Sequence, residues 1–143
     1  MNECIILIVV YVIVLLILGL CFSLKKVKNF TKKDPMLVEL HAVLCNIDPA
    51  AKKITVSEEN KSYTVNKKDV FLCLKDKDGE YYNKNFLIFV AIHELSHVIC
   101  PSIGHTDEFW KINEKLLNKA TALGYYNPSI PVVKDYIDSC GTH

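Results

Sequence analysis

The sequence predicts an α+β domain behind an N-terminal transmembrane helix, and three observations carry that reading. Residues 4–24 form a run with no charge and no proline. Between residues 53 and 74, short β-branched and alternating runs are separated by polar breaks, the pattern of brief strands. Two longer segments follow, near 84–99 and 107–123, whose apolar residues recur at helical spacing. The chain has 143 residues, and the stretch after residue 33 is long enough to bury one modest core and no second one.

Read as a helix, 21 residues at ~1.5 Å each span about 31 Å, the hydrocarbon thickness of a bilayer. The leader carries Glu3 and no lysine, and Lys25, Lys26, Lys28, Lys32 and Lys33 follow the apolar run. A cleavable signal has the opposite polarity. Residues 1–24 are therefore expected to be an uncleaved anchor in contact with lipid through 4–24. Residues 25–33 are expected to be a basic juxtamembrane linker suited to anionic headgroups. The positive-inside rule places the amino terminus outside and the domain, 34–143, in the cytosol as a single-pass membrane protein.

From residue 34 onward 12 Lys face 15 Asp plus Glu, and the chain has no Arg. A mildly acidic surface without the guanidinium fork argues against nucleic acid as a partner. Cys45, Cys73, Cys100 and Cys140 fall in the domain with no Cys-x-x-Cys pair, and a cytosolic setting predicts free, mostly buried thiols.

Within the domain, Asp34 followed by Pro35 is an N-cap with proline at the first helical position, and a helix over about 35–46 follows. Strands are expected near 53–57, 62–66 and 69–74 as a short antiparallel sheet, then a turn over Lys75–Gly79. The helix near 84–99 comes next. Thr106, with Asp107 and Glu108 in the first turn, caps a last helix that Gly124 ends.

His93-Glu94-Leu95-Ser96-His97 is an H-E-x-x-H sequence in the middle of a predicted helix. Spacing of four puts the two imidazoles one turn apart on one face, where both can grip one metal ion, with Glu94 turned aside to contact a metal-bound water. A catalytic zinc needs a third protein ligand. His105 is the best placed, because the break at Cys100-Pro101 lets the chain turn back; Cys100, Asp107 and Glu108 are the competitors. Burying two histidines and a glutamate between apolar flanks is costly unless each finds a partner. His41 reads as a satisfied core or supporting histidine. Tyr125, Tyr126 and Tyr136 are candidates to stabilise an oxyanion, and the strand near 69–74 is a candidate for edge pairing with an extended substrate.

The run from Phe71 to Trp110 resembles the core of the WLM and SprT-like metallopeptidases. There a strand and turn precede an H-E-L-x-H helix, and a third histidine stands shortly before a segment of the form H-x-x-x-F-W, here His105, Phe109 and Trp110. The resemblance implies a small zincin-like α+β domain, with zinc held by His93, His97 and His105 and Glu94 as the catalytic base. The gap of seven residues between His97 and His105 is longer than the family's usual spacing, and Cys100 replaces a glycine of the related metzincin motif.

The function expected from these features is membrane-anchored, zinc-dependent hydrolysis of peptide bonds in protein substrates. The alternative is a structural or assembly protein, such as a viral membrane or minor capsid component, whose zincin-like domain is non-catalytic and whose partners are other capsid or membrane proteins. The small, lysine- and isoleucine-rich, anchored form looks like a product of a large DNA virus, which makes a virion membrane one expected location.

Overall fold

The protein is described by a computed structural model over residues 2–28 and 33–131. In the first helix, side chains are described for residues 2, 3 and 5–19. Tyr136, Cys140 and His143 lie outside the described residues, as do 29–32 of the expected linker. The chain divides into two compact units, Met1–Lys33 and Asp34–His143.

The first unit is α1 (Glu3–Lys28), which runs on through residues 25–28 of the expected linker. No helix among the described residues is long and apolar enough to cross a membrane. This finding overturns the transmembrane part of the expected fold class and, with it, the single-pass location built on residues 4–24.

The second unit is an α+β fold of three helices and a three-stranded sheet: α2 (Pro35–Ile47), β1 (Thr55–Glu58), β2 (Tyr63–Val65), β3 (Asp69–Leu72), α3 (Lys84–Ile99) and α4 (Asp107–Ala122). Asp34 caps α2 by accepting a hydrogen bond from the Met36 amide at 2.9 Å, with Pro35 at the first turn. A 3-10 turn at Pro49–Lys53 that the sequence pattern did not suggest leads into β1. Asp48 makes it possible by capping Ala50 at 2.8 Å. Gly124, at φ +77°, ends α4 where a left-handed residue is required, and the Tyr125 amide returns to the Ala120 carbonyl at 2.9 Å.

The sheet order is β1-β3-β2, with β2 antiparallel and β1 parallel to β3. The expected all-antiparallel sheet is thus mixed. The β2–β3 hairpin folds back so that β3 enters between its neighbours, leaving β1 beside it in the same direction. Being central, β3 has both edges paired, so the edges open to an added strand belong to β1 and β2 and not to residues 69–74.

Helix α3 is the axis of the domain and packs against α2, α4, β2 and β3. Leu87, Ala91, Ile92 and Leu95 are fully buried on it, which is why its apolar residues wrap around more than one face. Leu40, Leu44 and Ile47 of α2 and Val56, Val70 and Leu72 of the sheet complete the core. One polar pair crosses it: Ser96 of α3 lies 3.1 Å from the Asn113 side chain of α4, and its hydroxyl is 2.8 Å from the Ile92 carbonyl.

Candidate metal centre

Because α3 is helical through the whole motif, His93 and His97 share a face, with ring centroids 5.0 Å apart. Past the C-cap at Cys100 the chain turns through residues 101–105, with Gly104 at φ +83°, and returns His105 to the same place. The His105 Nε2 lies 3.0 Å from His93 Nε2 and 3.1 Å from His97 Nε2. Phe109, fully buried at the start of α4, forms the floor: its ring centroid is 4.9, 4.4 and 4.8 Å from those of His93, His97 and His105. The Trp110 ring stacks on His105 at 5.5 Å.

Each neutral imidazole presents at Nε2 either one hydrogen or one lone pair. His105 Nε2 faces two such atoms at once and satisfies only one of them by hydrogen bonding. Protonation is resisted: burial first, then the charges of His97 and His105, push the His93 pKa down to about 4. A cation accepting three lone pairs removes the conflict. Two ligands of a tetrahedral zinc at ~2.0–2.1 Å lie about 3.3 Å apart, close to the spacing seen. These three side chains could hold a metal ion, and they form the one group of its kind found among the described residues.

The competing ligands are elsewhere. Cys100 is a buried free thiol, its Sγ 4.0 Å from Glu108 Oε2, and Glu108 accepts a hydrogen bond from the Ser102 hydroxyl at 2.6 Å. His41 meets the Ala51 carbonyl at 2.9 Å through Nε2, the satisfied role expected of it. The Tyr125 hydroxyl accepts from Asn46 Nδ2 at 2.8 Å and Tyr126 packs near Phe89 at 6.2 Å, so neither faces the histidines. Cys45 is free as expected, whereas Cys73 is disulfide-bonded. Bridges belong to oxidising compartments, the reverse of the free-thiol expectation at that position.

Glu94 opens onto a cleft of about 540 Å³ lined by Tyr63, Thr64, Lys67, Glu94, His97 and Ile103 among others. Burial pushes its pKa up to about 7, against the opposing pull of a hydrogen bond from Thr64. The Thr64 hydroxyl sits 2.7 Å from Glu94 Oε2 and 3.1 Å from the Glu94 carbonyl oxygen. Ile103, 94% exposed, stands at the rim. Thr64 and Tyr63 were invisible in the sequence as site residues: they reach the cleft through strand pairing and the packing of β2 on α3, and no local motif marks them.

No family model matches the chain, and no solved structure matches it. Three curated proteins of large DNA viruses are similar to it. An uncharacterized protein of Invertebrate iridescent virus 3 is 51% identical over 84 residues, 58% of this chain and 53% of the relative. One from Invertebrate iridescent virus 6 is 48% identical over 90 residues, 61% of this chain and 51% of the relative. A third, from Acanthamoeba polyphaga mimivirus, is 31% identical over 124 residues, 82% of this chain and 59% of the relative. The chain spans between half and three fifths of the length of these relatives.

Proposed function

We propose that this chain is a zinc-dependent metallopeptidase that hydrolyses peptide bonds in protein substrates, of the WLM and SprT-like kind its motif resembles. The observation that carries the reading is the convergence of three imidazole Nε2 atoms beside a buried glutamate that opens onto a cleft. His93, His97 and His105 would hold the metal. When bound, zinc would supply Lewis acidity toward a scissile carbonyl and an attacking water.

The remaining chemistry falls to the chain's own groups. Glu94 takes a proton from the water and returns it to the leaving amine, for which a carboxyl pKa near neutrality is well suited. Thr64 fixes one carboxylate oxygen, so the group does not rotate away from the cleft. The cleft walls supply apolar surface from Tyr63 and Ile103 for a substrate side chain. The viral origin of the relatives fits a protease acting on viral or host proteins, with no particular substrate indicated.

The test is the metal content of the purified full chain beside His97→Ala and His105→Ala, with digestion of an unfolded protein by the parent and by Glu94→Gln. One zinc per chain, lost in both histidine variants, and cleavage abolished by Glu94→Gln with zinc retained, is the expected result. A folded chain that binds zinc but cleaves nothing would replace this reading with the structural or assembly role.

A further inference from the structure

The turn that joins β2 to β3 carries a residue whose backbone and side chain point in different energetic directions. The Lys68 amide donates to the Val65 carbonyl at 3.1 Å, and both central residues are left-handed, Asn66 at φ 51° and Lys67 at φ 53°. This is the signature of a type I′ turn, for which Asn-Gly is the favoured pair. Asparagine tolerates the conformation; a lysine Cβ meets the steric penalty that glycine avoids.

The side chain supplies a reason for the lysine. Its Nζ donates to the Cys100 carbonyl and, at 2.7 Å, to the Pro101 carbonyl. Cys100 is the C-cap of α3, so the ammonium sits at the negative end of the helix dipole. It also grips the first two residues of the loop that ends in His105. The far end of that loop is fixed by Thr106, whose hydroxyl caps α4 at the Phe109 amide, 3.3 Å away, and Ser102 is tied to Glu108. Without Lys67 the side-chain ties on the loop come from the α4 side, and on the α3 side there remains the buried Cys100 with its amide bond to the Ser96 carbonyl.

We propose that Lys67 is a positioning residue that clamps the 100–105 loop so that His105 meets His93 and His97. The role in metal binding rests on the reading of the three histidines as a metal site; the clamp on the loop does not.

Lys67→Gly separates the two contributions, since it relieves the turn and removes the clamp. In the full chain without metal, its thermal midpoint is expected to equal or exceed the parent's. Amide hydrogen exchange over 102–105 is expected to be about tenfold faster, with the 63–71 hairpin unchanged. Titration with cobalt(II) alone is expected to show affinity about tenfold weaker, the low end of what loss of a supporting contact costs a metal site, with a visible spectrum altered by a displaced third nitrogen. Loop exchange and cobalt affinity both within twofold of the parent would overturn the proposal. A parent chain that takes up no cobalt sinks the metal reading, and the loop exchange then decides the clamp by itself: faster in the variant upholds it, unchanged overturns it.

Discussion

Two polar clusters in the Asp34–His143 unit are each drawn from distant parts of the chain, and they solve opposite electrostatic problems. In one, the Asp34 carboxylate meets the Tyr81 hydroxyl at 2.7 Å, Lys75 Nζ at 3.1 Å and the Met36 amide at 2.9 Å. Lys75 also reaches Glu58 at 3.1 Å. Burial would raise the Asp34 pKa, but the bonds from Tyr81, Lys75 and Met36 outweigh it and hold the carboxyl below its usual range. In the other, three imidazoles crowd within hydrogen-bond distance of a common point and none supplies a counter-charge. The first cluster balances its charges within the chain; the second gathers three imidazole nitrogens that could hold a metal ion. A cluster of like side chains with no counter-charge of its own is the one to read as functional.

The largest expected effect that tests this contrast is Phe109→Ala. Its ring is fully buried beneath all three histidines, so truncation should cost about 3–5 kcal/mol of stability and also loosen metal binding. Urea denaturation with and without cobalt(II) would measure both. If stability falls while cobalt affinity stays within twofold, the floor is ordinary core and the histidines are held by other means.

A pH series on metal-free protein sharpens the comparison. His93 titrates at about 4 folded against 6.5 unfolded, so the unfolded state binds more protons across that window and stability rises with pH. Glu94 titrates at about 7 folded against 4.5 unfolded, so the folded state binds more protons and stability falls as pH rises. Between pH 4.5 and 6.5 the two slopes oppose and nearly cancel. In Glu94→Gln the His93 slope is unmasked, and stability should climb from pH 4 to 6.5 by roughly 2 kcal/mol more than in the parent, the excess being the opposing Glu94 contribution that the substitution removes. Parallel stability curves for the two proteins would contradict these environments.

What was legible in the sequence follows the same division between local and distant information. The three helices of the domain were set by local signals: Asp34-Pro35, the apolar spacing through His97, and Thr106 with Gly124. H-E-x-x-H needs only helical geometry to become a pair of ligands, and His105 needed only a chain break at Cys100-Pro101 to return. The sheet was legible as strands but not as a topology, because nothing between Glu58 and Asp69 marks β1 as parallel to β3. Thr64 and Lys67 were missed for that reason. Their roles depend on where β2 and its turn fall against α3, a contact across some thirty residues. The transmembrane expectation came from the length of the apolar run at 4–24 and the lysines after it, yet no helix among the described residues is long and apolar enough to cross a membrane.

The smallest expected effect concerns the self-satisfied cluster. In Lys75→Met, Asp34 keeps the Tyr81 hydroxyl and the Met36 amide, and the lysine is exposed enough for water to replace it. Exposed ion pairs contribute little, so the thermal midpoint at neutral pH should move by less than about 3 °C for a domain of this size. The sign of a second effect is fixed. With Lys75 gone, the Asp34 pKa rises toward its ordinary value, the stability it contributes above that value is lost at a higher pH on acidification, and acid unfolding should begin earlier. Cobalt affinity should be unchanged, because no residue of this cluster is within the metal group or lines the cleft. A Lys75→Met chain that binds cobalt tenfold more weakly would join the two clusters into one cooperative unit and break the comparison.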